Sequence, residues 1–445
     1  MRGILPVALL LAACSTQASP GVPTPTPTPT ATATSAPAAD GVTVTPAPPA
    51  ATPTPPPMPS IAPGTGVRPF DLPQGATLRF DAATPGLVVV GAAGSTEGVH
   101  TFSLAGTRGV QQAATPAVGG TVQFWVNTGD FTDAGDSPRT CVLKQLTPRL
   151  EVYLDQAARP AAAQGLAALA KVFEDPIISR DEAAFGGLPG GGRITLVVSP
   201  AVDNFGKLKG HEGYFWARDL IDGQAHGAQR RVLFVSDDYV SYPDVVVDGV
   251  LAHEYQHLLN YVRKAAAAGR TLSEESWLDE GLSVYAQQVA GYGLTGGDRF
   301  VALDVADFER RPTEAGLLEW SASHSTLSFG QSYLFVHFLV DRYGEAVLRK
   351  LVDNPQVGVA NVETVTGAPF AELFRDWTVA NYTNHYQGLD LAANYGGYQL
   401  PGFLPATSPA TGALRPWSAL AFRVGQGPVV LTGSATSRLV GAFTP

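Results

Sequence analysis

The stretch VLAHEYQHLLNY, residues 250–261, constrains this chain more than any other feature. It predicts a helix from Asp244 to Gly269, because a proline is tolerated in the first turn of a helix and a glycine commonly follows the last one. On that helix His253 and His257 lie one turn apart on the same face. Two imidazoles in this arrangement can both reach one Zn²⁺ at about 2.0–2.1 Å.

The histidine pair is open to two interpretations, a metal site or part of a helix core. A core stripe on a different face is predicted from four apolar residues at helical spacing, Leu251, Tyr255, Leu258 and Val262. A single buried histidine usually belongs to the core, but a pair with Glu254 between them is not a usual core arrangement. In an H-E-x-x-H motif the glutamate takes a proton from metal-bound water. The pattern therefore favours a zinc site with Glu254 as the general base.

A catalytic zinc site needs a third protein ligand, and SWLDEGLSVYAQQVAG, residues 276–291, offers one. Its apolar residues repeat at helical spacing, namely Leu278, Leu282, Tyr285 and Val289. Glu280 lies off that stripe, and Gly281 beside it allows another helix to approach closely. Taken alone, Glu280 would be interpreted as a solvated carboxylate, as most glutamates on helices are. Beside a histidine pair on an antiparallel helix, it completes a set of three ligands that leaves one position for water.

The order of the predicted elements indicates an α+β fold. Strand-like segments dominate up to RRVLFVSDD, residues 230–238, and the chain is mostly helical from Pro243 to Tyr343. GYFWARDL, residues 213–220, is predicted to be a strand. The folded part is divided into a β-rich N-terminal region over 66–119, a main domain over 120–390 and a β-rich C-terminal region over 391–445.

The first residues, MRGILPVALLLAACSTQ, predict an export signal. Residues 1–13 contain an apolar run that suits a signal peptide but is too short to span a bilayer. The segment that ends at Cys14 resembles a bacterial lipobox, which implies a lipid on Cys14 that anchors the protein to the cell envelope. The alternative is an ordinary signal peptide cut elsewhere, which releases a secreted protein. Residues 14–65 are rich in Pro and Thr and predict a disordered, extended stalk.

The net charge of the chain argues against one class of partner, and its cysteine content argues against an intrachain disulfide. The formal net charge is -10 and the sequence pI is about 5.3, which argues against binding to nucleic acid. The two cysteines are Cys14 and Cys141, so a lipid on the first would leave no partner for an intrachain disulfide.

HEYQH followed downstream by WLDEGLSVYA resembles the gluzincin metallopeptidases, and in detail the chain is similar to the hyicolysin family. The resemblance also takes in GYFWARDL and SFGQSYLFVHFLVDRYG and covers roughly residues 120–390. It implies a zincin-like domain with a mixed sheet over an active-site helix, followed by a helical subdomain. It also implies that His253, His257 and Glu280 are zinc ligands and that Glu254 is the catalytic base.

Two related classes of peptidase do not fit this chain. Metzincins carry a third histidine where this chain has Arg263, and they need a Met-turn, whereas the only methionines here are Met1 and Met58. The absence of further methionine also removes the Gly-x-Met-Glu-Asn segment with which related aminopeptidases hold a substrate's amino end. An endopeptidase is therefore favoured over an aminopeptidase.

The residues that support the proposed ligands and the transition state are less certain from sequence. Val284 stands where thermolysin-like sites carry a carboxylate that orients a histidine, so the partner is open between Asp279, Asp248 and a backbone carbonyl. Phe329 stands where related peptidases often have a tyrosine, and phenylalanine cannot donate a hydrogen bond. Tyr333, one turn further on, is the candidate for stabilising the oxyanion, although a core role is equally open to it. His337 and His324 are further candidates.

The function predicted from these features is that of a zinc-dependent endopeptidase that acts outside the cytoplasm on protein or peptide substrates. An extended substrate is expected to add as a strand beside Gly213, Tyr214 and Phe215, although an ordinary edge strand is the alternative. A non-catalytic cell-surface binding module on a peptidase-like fold is the main alternative function. A zinc hydrolase of non-peptide substrates is a third.

Overall fold

The computed structural model describes residues 115–128, 131–202, 212–241, 245–294, 299–320, 325–383 and 414–420, with four two-residue strands after residue 383. Several predicted features lie outside these residues. They are the signal peptide over 1–13, the lipid site at Cys14, the stalk over 14–65, nearly all of the region 66–119 and most of the region 391–445.

Six strands form one mixed sheet. They are β1 Thr121–Asn127, β2 Asp136–Leu146, β3 Leu150–Asp155, β4 Ile194–Ser199, β5 Gly213–Phe215 and β6 Val232–Ser236. Their order in the sheet is β1-β2-β3-β4-β6-β5. β1, β2 and β3 are antiparallel neighbours, β3, β4 and β6 run parallel, and β5 pairs antiparallel with β6 at the edge.

Side chains of the central strands alternate between two apolar cores. Leu196 and Val198 of β4 belong to the core that the helices share, whereas Val197 between them faces the core on the opposite side of the sheet. β4 reads ITLVVS and is buried at every position. A strand covered on both faces needs no polar alternation, which explains this apolar run.

Ten helices complete the described fold. They are α1 Pro160–Val172, α2 Ser179–Phe185, α3 Asp237–Ser241, α4 Val245–Ala268, α5 Ser276–Ala290, α6 Arg299–Arg310, α7 Ser325–Tyr343, α8 Ala346–Val352, α9 Gly358–Thr366 and α10 Phe370–Thr383. Strands come first and helices follow, so the predicted α+β class is confirmed. Within the described residues, no helix combines the length and the apolar character needed to cross a membrane.

The two helices that carry the proposed ligands have nearly the predicted bounds. α4 covers Val245–Ala268, and Gly269 ends it with φ of +64°. α5 covers Ser276–Ala290, and Gly291 ends it in the left-handed region with φ of +96°. Glycine adopts positive φ without the steric cost of a side chain, so both ends are set by local sequence.

The strand predicted over residues 213–220 is wrong in its second half. β5 ends at Phe215, and Ala217–Leu220 forms a 3-10 turn. Asp219 turns the chain back, because its backbone carbonyl accepts from the Arg230 N–H at 2.9 Å and its carboxylate accepts from the Ala228 N–H at 2.8 Å. These contacts close a loop of about ten residues, which the period of a strand or helix does not reveal.

Candidate metal centre

Three side chains from two helices converge at one point. His253 and His257 come from α4, and Glu280 comes from α5. The two Nε2 atoms are 3.1 Å apart, and Glu280 Oε2 lies 3.2 Å from the Nε2 of His253 and 3.5 Å from that of His257. All three side chains are buried, and their ligand atoms form a group able to hold a metal ion. The structure therefore brings together the three ligands that the sequence predicts.

The spacing of these three atoms suits a tetrahedral ion. Bonds of about 2.0–2.1 Å at tetrahedral angles place neighbouring ligand atoms about 3.3 Å apart. The three separations of 3.1, 3.2 and 3.5 Å lie on either side of that value. Glu280 Oε1 is also buried and has no hydrogen-bond partner among the described residues. A cation beside this carboxylate would offset the cost of its burial.

The hydrogen on His257 is assigned by its neighbour. His257 Nδ1 lies 3.0 Å from Asp279 Oδ2, and an ionised carboxylate only accepts, so Nδ1 carries the hydrogen and donates it. In the neutral ring Nε2 then carries no hydrogen, and its lone pair faces His253 Nε2 and Glu280. Acceptors gathered in this way need either a proton or a metal cation between them.

The pKa values of the candidate ligands His257 and Glu280 also indicate that the site favours a positive charge. Burial by itself lowers the pKa of His257, but the carboxylates of Asp279 and Glu280 raise it to well above its usual value. Burial raises the pKa of Glu280, but His257 and His253 lower it by more than burial raises it. The pKa of Glu280 therefore lies below its usual value. Without a metal the site therefore holds a proton, and a divalent ion can take the place of that proton.

A row of polar contacts joins α4 to α5 around the ligands. Asn260 Nδ2 donates to Asp279 Oδ1, and Ser283 Oγ donates to Gln256 Oε1. A later residue on α4 meets an earlier one on α5, so the two helices run antiparallel, as predicted. All four side chains are buried.

The sequence left Asp279, Asp248 and a backbone carbonyl open as the group that orients a histidine of the site. The structure places Asp279 against His257. Its Oδ2 contacts His257, and Asn260 holds its other oxygen. Val284, where similar sites carry a carboxylate, is buried in the apolar core. Sequence reasoning missed Gln256, Asn260 and Ser283. The available signal was the spacing of four residues between polar side chains on a helix that is otherwise buried.

Glu254 lies beside the edge strand of the sheet. The backbone N–H of Phe215 donates to Glu254 Oε2 at 2.8 Å. Gly213 permits this approach, because a Cβ there would lie 3.0 Å from Phe234 O and from Val250 Cγ1, and 3.5 Å from Glu254 Cγ. One carboxylate oxygen of Glu254 is thus held in a fixed position relative to β5.

The predicted substrate residues Gly213, Tyr214 and Phe215 form β5. The Ser236 N–H of β6 donates to Glu212 O at 2.9 Å, so the backbone groups of Glu212 face β6. Alternate residues of a strand face the same way, so Tyr214 also faces β6, whereas Gly213 and Phe215 direct their backbone groups away from it. Tyr214 packs into the core on the far side of the sheet, and its hydroxyl accepts from the Asn127 N–H at 2.8 Å. Any contact of β5 with a substrate strand would therefore use the backbone rather than the Tyr214 side chain.

Tyr333 and Phe329 occupy different places relative to the ligands. Phe329 is the residue of α7 whose ring packs against His253, with 6.0 Å between the ring centroids. Tyr333 is fully buried one turn further on, 6.2 Å from the Tyr285 ring and 5.8 Å from the His337 ring by centroids. The structure thus places Tyr333 with Tyr285 and His337 rather than against His253. His324 lies outside the described residues.

A second group of potential metal ligands, Asp133, Asp136 and His226, has a different role. Arg218 donates to both oxygens of Asp136, at 2.6 and 3.2 Å, and lies 3.3 Å from Asp133. His226 Nδ1 lies 2.9 Å from Asp136. The guanidinium already supplies the positive charge at this cluster, so we assign it as an ion-pair network.

Comparison with known proteins adds no family to this geometry. No protein-family model matches the chain, and no curated protein matches it.

Proposed function

We propose that this protein is a zinc-dependent endopeptidase with a zincin-like domain. Its motifs resemble those of the hyicolysin group of gluzincins, and we propose that it is of that type. The observation that carries the proposal is the convergence of His253, His257 and Glu280 at separations that suit zinc, with Glu254 next to them on the same helix. The buried histidine partner Asp279 adds to it.

Each residue of the centre has a distinct part in this chemistry. His253, His257 and Glu280 would hold the ion, and Asp279 would keep the His257 ring in position. Zinc bound there would polarise a peptide carbonyl and lower the pKa of a water molecule. Glu254 accepts a proton from the attacking water and passes it to the leaving amine. The Phe215 N–H keeps the Glu254 carboxylate oriented for this transfer.

The substrate in this proposal is an extended segment of protein or peptide. It would pair with the outward backbone groups of Gly213 and with the Phe215 carbonyl, because the Phe215 N–H already donates to Glu254 Oε2, and it would extend the sheet by one strand. Such pairing reads the backbone and places few demands on sequence. Tyr333 stays the predicted donor to the oxyanion, but its contacts to Tyr285 and His337 do not favour that role over a core one.

The location in this proposal is the outer side of a membrane, with a lipid on Cys14 and the segment 14–65 as a stalk. Replacement of the lipidated cysteine should release the protein. A Cys14→Ser variant that stays with the membrane fraction after washing would contradict the anchor.

The proposed activity is tested by cleavage of casein with the purified full-length chain. Chelation should abolish cleavage, and added zinc should restore it. Glu254→Gln should keep zinc but lower the rate by about 10²–10⁴-fold, the usual contribution of a general base. Equal cleavage by the Glu254→Gln variant would defeat the role of Glu254.

A non-catalytic binding module is the second candidate, and Phe329 favours it, because this ring packs against His253 and has no hydrogen to donate. That protein would bind casein and keep zinc without cleaving it. Cleavage of esters but not peptides would instead indicate a zinc hydrolase of other substrates.

A further inference from the structure

A buried ion pair joins α4 to the segment that leads into α5. Lys264 Nζ lies 2.8 Å from Glu274 Oε2, and both side chains are completely shielded from solvent. Lys264 belongs to the last two turns of α4, and Glu274 comes just before α5 begins at Ser276. The pair therefore links the two helices that carry the proposed zinc ligands.

Every polar group of this pair has partners. Lys264 Nζ donates to the carbonyl oxygens of Leu351, Asn354 and Gln356 at 3.0, 3.1 and 2.8 Å. The Glu274 carboxylate accepts from the backbone N–H groups of Glu275 and Gly358 at 2.9 and 2.6 Å, and from Asn361 Nδ2 at 2.8 Å. The pair thus also fixes the segment between α8 and α9 against the two ligand helices.

The ion pair continues the row of polar contacts that begins at the metal centre. Gln256, Asn260 and Lys264 follow one another at four-residue spacing along α4 and therefore lie on one row of that helix. Their partners run the other way along the chain, in the order Ser283, Asp279 and Glu274. His257 lies beside this row, between its first two contacts.

Such a row is sensitive to the register of the two helices. Sliding α5 by one helical turn would move the Glu280 carboxylate by about 5.4 Å. A zinc site tolerates deviations of only about 0.2 Å in its bond lengths. Apolar residues pack acceptably in more than one register, whereas a buried polar pair leaves unpaired groups in every register but one.

We infer that Lys264 and Glu274 are positioning residues that set the register of α4 against α5 and so keep Glu280 within reach of His253 and His257. The inference rests on the proposed zinc site. It assigns to the pair a role in metal affinity that is separate from its contribution to the stability of the fold.

The test compares two double variants of the full-length chain. Lys264→Met with Glu274→Leu replaces the pair by apolar side chains of similar size, so that neither charge is left buried without the other. The matched control is Arg230→Met with Glu151→Leu, because that pair is similarly buried and 2.9 Å apart but joins parts of the sheet region away from α4 and α5. Zinc affinity is measured by competition with a chelator, and the stability of the metal-free chain by urea unfolding.

The first double variant should lose some metal-free stability, because the backbone partners of the pair are left without it, and the folded chain should bind zinc about 10–100-fold more weakly, the usual effect of losing support around a metal ligand. The control pair should leave zinc affinity unchanged. Wild-type zinc affinity in the first variant, or equal weakening in the control, would overturn the inference while leaving the proposed zinc site intact. A wild-type chain that binds no zinc would overturn both.

A single variant covers the case in which the first double variant does not fold. Glu274→Gln keeps the size of the side chain but turns an amide N–H₂ or a weaker acceptor toward Lys264 and Asn361. It should weaken zinc binding in the folded protein, and an unchanged zinc affinity would count against the pair as a positioning element.

Discussion

At the scale of single residues, Asp279 shows how one carboxylate could prepare His257, a proposed metal ligand. It accepts from His257 Nδ1 at 3.0 Å, while Asn260 holds its other oxygen. A histidine oriented in this way loses less rotational freedom when a metal binds. The negative charge beside the ring also makes Nε2 a stronger ligand.

Asp279→Ala should therefore weaken zinc binding by about 10–100-fold. Competition with a chromophoric chelator measures the change. Asp353→Ala is the control, because Asp353 is an exposed partner of Arg263 on the surface and should have no effect on zinc affinity. The role of Asp279 is contradicted if its replacement binds zinc as tightly as the wild type.

Asp219 is a second residue whose surroundings make a measurable prediction. Burial raises its pKa to about 7, although the Ala228 N–H and Arg218 lower it. The folded chain then binds a proton that an unfolded aspartate, with a pKa of about 3.9, releases. Protonated Asp219 thus stabilises the folded state below about pH 4, and this stabilisation is lost as the pH rises through about 7.

Asp219→Asn removes this titration. The free energy of unfolding of the variant minus that of the wild type should rise by a few kcal/mol, as an order of magnitude, from pH 4 to pH 8. The reason is that the wild type loses the stabilisation from protonated Asp219 over this range. Urea unfolding of both metal-free chains at the two pH values measures the difference. A stability difference between variant and wild type that is the same at both pH values would show that Asp219 does not titrate in this range.

At the scale of helices and strands, close contact between α5 and α7 supports the position of Glu280. A Cβ at Gly281 would lie 2.8 Å from Ser332 O and 3.0 Å from Val336 Cγ2. The sequence predicted that Gly281 allows a helix to approach. The structure identifies that helix as α7 rather than α4.

Gly281→Ala should therefore force α5 and α7 apart. Overpacking costs about 1–3 kcal/mol, and the better helix propensity of alanine offsets up to about 1 kcal/mol of it. Zinc affinity should fall as well, because Glu280 is the adjacent residue. Gly187→Ala is the control, since a Cβ there would meet Glu182 at an ordinary 3.6 Å. A Gly281→Ala chain with wild-type stability in urea and wild-type zinc affinity would contradict this account of the contact.

Elements with a strong local signal could be predicted, and those defined by distant contacts could not. The helix with the histidine pair has a regular apolar repeat and a terminal glycine, so its bounds differ from the predicted ones by one residue at each end. β2 carries only a weak local signal, because Cys141 and Leu143 alone among its apolar residues are buried and its apolar alternation is short. The strand predicted beyond Phe215 was wrong, because Asp219 accepts from the Ala228 N–H in the loop that follows it and turns the chain back.

The same distinction applies to the metal centre. The three proposed ligands follow from spacing on two helices, but the partner of His257 depends on how those helices meet. Whether Phe329 or Tyr333 lies against His253 depends on the rotation of α7. That rotation is set partly by α6, where a Cβ at Gly330 would meet Asp304 O at 2.2 Å. No pattern within α7 contains this information.

At the scale of the whole molecule, the centre joins parts of the chain that are distant in sequence. β5 contacts Glu254, α4 and α5 carry the proposed ligands, and α7 packs behind α5 beside Glu280. Metal binding should therefore stabilise the folded domain as a unit. A ligand at one hundred times its Kd adds about 2.7 kcal/mol to the free energy of unfolding.

The most direct test of the account is zinc content and coordination in the full-length chain after extensive dialysis. We predict one zinc per chain, with X-ray absorption showing imidazole nitrogen and oxygen neighbours at about 2.0–2.1 Å. A His253→Ala, His257→Ala double variant should retain none. A wild-type chain that holds no zinc, or a double variant that retains as much as the wild type, would contradict the central claim.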